Sequence, residues 1–231
     1  MKIIEITGIG EVTLRKSARA KRLILKITPD GKPVVTVPSY VPYLVAERFV
    51  KQHRDWFLEH KASKPTLQLY EGKQVGKTHV LMFVKKDVAK VSSRIQGERI
   101  MVTYPVVADI TDLAIQAEAK KAAIRALKKQ AEASLPGLLH TLSNKYGYSY
   151  REVRIKTSQS RWGSCSNKKI INLSVWLMQL PNELVEYVLC HELTHLHHMH
   201  HQAAFWDELA LMIPDYKTRR KALKAYSPAL I

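Results

Sequence analysis

The sequence is short of three things, and each shortage excludes a class of protein. Its only cysteines, Cys165 and Cys190, allow at most one disulfide, too few for a secreted disulfide scaffold. Neither belongs to a Cys-x-x-Cys pair, so both are expected as buried thiols rather than metal ligands. Apolar runs long enough to cross a bilayer are missing, and the opening MKIIEITGIGEVTL has neither a continuous apolar stretch nor a small-residue cleavage site. A soluble, cytoplasmic protein with no membrane partner is expected. Acidic residues are the third shortage: 20 Asp and Glu against 37 Lys and Arg leave a formal charge of +17. Such an excess attracts polyanions, which makes nucleotides or nucleic acid candidate partners of the basic surface, against the plainer reading of a solubilising charge. The basic residues are spread along the chain, with clusters at 15–22, at Lys120, Lys121, Arg125, Lys128 and Lys129, and at 217–224.

What is present reads as α+β, in two halves. Residues 1–40 carry short strand patterns: Leu23, Leu25 and Ile27 alternate with Ile24, Lys26 and Thr28, and Asp30-Gly31 supplies a turn before the next apolar run. Pro42 opens a helical stretch to about Lys61, with Val45, Phe49, Trp56 and Phe57 on one face. Short strands return over 67–104, with Gly72, Gly76 and Gly97 at turns. From Asp109 the pattern becomes helical over 109–133, and Leu135-Pro136-Gly137 is expected to bend or restart that helix. A strand at 152–157 and two short strands around a turn follow, then a helix with Asn182 as N-cap, then helices at about 202–212 and 215–226. No internal repeat is visible. The reading is a β-rich N-terminal domain, 1–108, and a mainly helical domain with a short sheet, 109–231.

The chemistry concentrates in one helix. His191-Glu192-Leu193-Thr194-His195 is an H-E-x-x-H sequence, and a spacing of four places both imidazoles on one face where they can share an ion. Glu192 is offset from that face, suited to take a proton from an attacking water without becoming a ligand. Zinc needs a third protein ligand. His197, His198, His200, His201 and the later acid Glu208 are the candidates. If the chain turns after His198, His201 swings back toward the pair, and its six-residue offset from His195 equals that of the metzincin motif. Metzincins place glycine at that turn where this chain has His198, a residue that tolerates a left-handed backbone better than most. His197 and His198 are read as a solvated cluster near the site.

The segments RWGSCS, INLSVWLMQLP, VEYVLCHELTHL and HHQAAFW together resemble the YgjP-like metallopeptidase family, which is related to the SprT-like and WLM proteases. The resemblance extends to RKSARAKRLILKITPDGKPVVTVP in the first half and so covers most of the chain. It implies a zincin-like metallopeptidase domain that binds Zn2+ through His191, His195 and His201, with Glu192 as general base and a peptide or protein as substrate. Where the family carries Asn-His-Ser, this chain has His200-His201-Gln202, which keeps His201 in register and sets a second imidazole beside it.

Other residues are weighed against plainer roles. Trp162–Ser166 is either a wall of the cleft, with Gly163 allowing close backbone approach, or a structural turn with Trp162 in the core. Arg161 is a candidate for binding phosphate or developing negative charge, against simple solvation. Tyr187, one turn before His191, is a candidate hydrogen-bond partner of the ligands, against a core role. Phe205 and Trp206 are expected to pack beneath the ion. Two rival functions keep the metal: a nucleoside triphosphate (UTP) pyrophosphatase, and a nucleic-acid-associated protease that docks through its basic surface. The chain has no G-x-x-x-x-G-K-[ST] loop and no acidic cluster for magnesium, which weighs against the first.

Overall fold

The structure, a computed structural model, describes residues 2–27, 33–62 and 68–229. The turn expected at Asp30-Gly31 lies outside them. The chain divides into two units, Met1–Leu67 and Gln68–Ile231.

In the first unit, strands β1 (Lys2–Ile6), β2 (Gly10–Ser17), β3 (Ile24–Ile27) and β4 (Pro33–Pro38) form a sheet in the order β1-β2-β4-β3. The β2–β4 pair is parallel and the outer pairs are antiparallel. Alternation sends Val12, Leu14, Val35 and Val37 to one face, all fully buried. Helices α1 (Tyr43–Gln52) and α2 (Arg54–Ala62) contribute Ala46, Val50 and Phe57 to the same core. The single helix expected here is therefore broken at His53. Its apolar face is also not the expected one, since Val45 and Trp56 are exposed. The break at His53 resets the helical phase, so one stripe cannot run from Val45 to Phe57.

The second unit opens with β5 (Gln74–Val75), β6 (His79–Lys86), β7 (Ser92–Gln96) and β8 (Arg99–Pro105). Their order, β5-β6-β8-β7, and their sense, antiparallel, parallel, antiparallel, repeat the first sheet. A repeat is thus present in the topology, ending on similar strands, Val-Thr-Val-Pro at 35–38 and Val-Thr-Tyr-Pro at 102–105. The expected boundary near residue 108 would cut this sheet from the helix it packs against. That helix, α3 (Leu113–Tyr146), buries a stripe of small residues, Ala119, Ala122, Ala123 and Ala126, followed by Leu127, Leu135 and Leu139. Buried Gln130 ties it to the sheet, accepting from the Lys77 amide at 2.7 Å and donating to the Val75 carbonyl at 2.9 Å. Gly76, at φ +68°, makes that approach possible, because a Cβ there would lie 2.5 Å from the Gln130 side-chain oxygen. The division accordingly falls at 67/68.

Pro136 sits inside α3 rather than dividing it. The buried Leu135 and Leu139 anchor the helix on both sides of the lost amide, and α3 ends only at Gly147, φ 73°. A three-stranded sheet follows, β9 (Glu152–Lys156), β10 (Gly163–Cys165) and β11 (Ile170–Ser174), in the order β10-β11-β9. A short 3-10 helix, Val175–Gln179, leads into α4 (Asn182–Thr194), α5 (Ala203–Met212) and α6 (Tyr216–Leu223). No described helix is long and apolar enough to cross a membrane.

Candidate metal centre

Helix α4 starts from Pro181, which holds the cap position expected for Asn182, and no side chain caps it. Its buried residues Leu184, Val185, Val188 and Leu189 anchor it in the core and fix the rotation that presents the histidines. His191 and His195 lie one turn apart, ring centroids 4.8 Å from each other and nearly perpendicular. The helix stops at Thr194, whose carbonyl accepts from the amides of His197 at 3.1 Å and His198 at 3.0 Å. This tight turn needs no left-handed residue. His198 does not take the positive φ of a metzincin glycine, for Lys169 is the only described non-glycine that has one. The chain then returns, and His201 Nε2 comes to 3.1 Å from His191 Nε2.

His191, His195 and His201 each offer a ring nitrogen, and the three lie within 4.8 Å of one another. Tetrahedral ligands at about 2.0–2.1 Å from a zinc ion are separated by about 3.3 Å, so the spacing suits such an ion with little movement. Protonation suits it too. Burial, and then the neighbouring His195 and His201, push the His191 pKa down to about 3, so its imidazole is neutral near pH 7. Burial likewise lowers His195 and His201. His195 Nδ1 must carry the proton, since it lies 3.0 Å from the His198 carbonyl, and this leaves the Nε2 lone pair free to bind a metal ion.

Aromatic rings hold the trio in place. Phe205, fully buried, sits 4.7 Å from His195 and His201 and 4.9 Å from His191. Trp206 stacks on His201 and donates from Nε1 to its carbonyl at 3.2 Å. Both residues thus pack where the sequence places them. Tyr187 is buried in the core with its ring 6.0 Å from His191.

The neighbouring histidines differ from expectation. His197 and His198 are not simply solvated: both grip Glu208, at 2.8 Å through Nδ1 and 2.6 Å through Nε2. The Tyr148 hydroxyl donates to the same carboxylate. Burial opposes ionisation of Glu208, but the bonds from Tyr148, His197 and His198 prevail and hold its pKa below the ordinary value. Glu208, a candidate ligand in the sequence, is instead the brace of the turn between α4 and α5. His200 is exposed and stands outside the trio.

Glu192 is only 4% exposed and packs against Gly163 of β10. A Cβ at Gly163 would lie 2.5 Å from Glu192 Oε1, so close approach at this glycine is a requirement of the site. Burial pushes the Glu192 pKa up to about 8, partly opposed by Arg161. A nearby cation favours the ionised form. Its Oε2 is buried with no hydrogen-bond partner among the described residues. A buried acceptor left this way calls for water or a proton donor. Gly163 also lines a cleft of about 330 Å³, together with Trp162, Ser164, Lys156 and Arg161. Trp162 also packs on the core, as the structural reading of this segment expects. Both thiols are free; Cys190 is fully buried and pushed up to about 12, and Cys165 to about 11, chiefly by burial.

These features are those of a metallopeptidase, and comparison with known proteins agrees. A family model described as YgjP-like, metallopeptidase domain, matches residues 21–226. The chain belongs to that family. Among solved structures, the metallopeptidase zymogen of Pyrococcus abyssi abylysin is similar at 27% identity and a TM-score of 0.36, over 39% of this chain and 92% of that one. No curated protein matches.

Proposed function

We propose that the chain hydrolyses peptide bonds with a zinc ion held by His191, His195 and His201 and with Glu192 as general base. The observation that carries this reading is the convergence of three imidazole nitrogens, with Glu192, next to His191 on the same helix, keeping a buried carboxylate oxygen without a hydrogen-bond partner among the described residues. Zinc would supply Lewis acidity, lowering the pKa of water to about 7 and polarising the peptide carbonyl. Glu192 Oε2, free of other partners, accepts the proton of the attacking water and returns it to the departing amine nitrogen. Gly163 sets the depth of that carboxylate, and Phe205 beneath the rings keeps the site dry on one side. Tyr187 packs behind His191, Arg161 faces the substrate, and His200 stays at the rim.

The test pairs metal analysis with one substitution. Protein purified without added metal should hold about one zinc per chain, and Glu192→Gln should keep it while losing at least about 10²-fold in peptide hydrolysis. Absent zinc with no uptake on titration, or a fully active variant, would overturn the proposal. A second reading, nucleoside triphosphate pyrophosphatase, uses the same ion and is favoured by Lys156 and Arg161 in the cleft. Release of pyrophosphate from UTP without any peptide cleavage would put it first.

A further inference from the structure

The cleft lined by Gly163, the glycine that lies against Glu192, has a one-sided charge. Lys156 and Arg161 flank it, no aspartate or glutamate lines it, and Ser158, Ser160 and Ser164 add hydroxyl groups. Neither cation forms an ion pair among the described residues, although the chain pairs several others, such as Arg154 with Glu152 and Arg219 with Glu186. Arg161 is also close to the chemistry. It adjoins Trp162-Gly163, and Gly163 touches Glu192. Its charge acts on the Glu192 carboxylate.

We propose that this cleft binds an anionic side chain of the substrate peptide, a carboxylate or a phosphoryl group beside the bond to be cut, with Arg161 and Lys156 as its specificity-determining residues. The inference rests on the peptidase reading above and names the substrate class for that site. An arginine fork matches the two oxygens of a carboxylate or phosphoryl group, and hydroxyls at the wall complete the set of donors. Glu192, which packs against Gly163, is buried and does not line the cleft, so no carboxylate in the lining neutralises the two cations. A lysine or arginine side chain on the peptide would meet two like charges and be rejected.

The experiment separates binding from turnover. Fluorescein-labelled peptides, identical except for Glu, phosphoserine, Gln or Lys at one position, are titrated into zinc-loaded Glu192→Gln protein, and wild-type protein is assayed for cleavage of the same set. Each position of the peptide is scanned in turn. The Glu or phosphoserine peptide should bind roughly tenfold more tightly than the Gln peptide, and the Lys peptide least tightly. A gain confined to phosphoserine assigns a phosphoryl reader, one confined to Glu a carboxylate reader, and equal gains a site for either anion. Adding Arg161→Glu should erase or invert the order, and Lys156→Glu should weaken it. Lys156 is exposed, so its variant keeps the test valid if the Arg161 variant fails to fold. Equal binding of all four peptides, or an order unchanged in both charge reversals, overturns the proposal. Ordered binding without any cleavage by wild-type protein would sink the peptidase reading alone.

Discussion

Replacing Gly163 with alanine asks whether the position of Glu192, and not only its presence, sets the rate. The backbone at 163 lies outside the left-handed region, so alanine meets no conformational penalty there. The penalty comes from space: the new methyl group would stand 2.5 Å from Oε1, 2.7 Å from Cγ and 2.8 Å from Cδ of Glu192. Ordinary contact begins at 3.4 Å, so the closest approach is about 0.9 Å too short. Strand β10 cannot easily retreat, because Gly163 is in register with Leu173 of β11, which is fully buried. Glu192 must therefore move, by close to 1 Å. A misplacement of that size costs about 10²-fold in rate, or about 2.7 kcal/mol of barrier. The assay is kcat/KM for peptide cleavage, with zinc content and the thermal midpoint as controls for fold and site. Shortening the side chain should relieve the clash, so Gly163→Ala with Glu192→Asp should lose less than the two single losses combined. Activity within about twofold of wild type, with fold and zinc intact, would mean that the placement of Glu192 does not set the rate.

Three further outcomes are expected. His201→Ala should weaken zinc binding, measured by competition with a chelator, far more than His200→Ala or His197→Ala, because only His201 belongs to the converging trio. Glu208→Ala should lower zinc affinity by about 10–100-fold without unfolding the chain, since the turn that delivers His201 loses its brace; Glu208→Gln should recover part of it, and unchanged affinity in both would remove Glu208 from the site. His79, buried beside Gln130, has its pKa lowered by burial and then by Lys129. The unfolded chain then binds the proton more readily, so this part of the stability is full above about pH 6.5 and falls as pH drops below it. Thermal melts at about pH 7 and pH 5 should show a smaller loss for His79→Gln than for wild type, and parallel losses would contradict the assignment.

Much of the candidate site is legible in the sequence because its spacings are local. A step of four puts His191 and His195 on one face of α4, and ten residues suffice to carry the chain back to His201. The partner of Glu192 is another matter: Gly163 is 29 positions away on a different element, and only the packing of β10 against α4 brings them together. Glu208 was visible as a metal-ligating residue type, but its role depends on Tyr148, 60 positions earlier. In the fold, strands marked by alternation and glycine turns are found where expected. Pro136 misleads because burial of its neighbours outweighs the loss of one helical bond, and the boundary near 108 misleads because the change from strand to helix composition falls inside one packed unit.

The twice-used sheet has a consequence for how the chain assembles itself. Each copy consists of two antiparallel pairs of neighbours in sequence, β1–β2 with β3–β4 and β5–β6 with β7–β8, joined along one parallel seam. Hairpin-like pairs need little loop closure and form early; a parallel seam must wait until both are made. The seam includes fully buried pairs, Leu14 with Val35 in one copy and Leu81 with Ile100 in the other. The slow step of each sheet is therefore one that buries apolar pairs. Until the seam closes, two sticky edges stand open to water, and for that interval the surplus of positive charge serves the nascent chain by keeping copies apart.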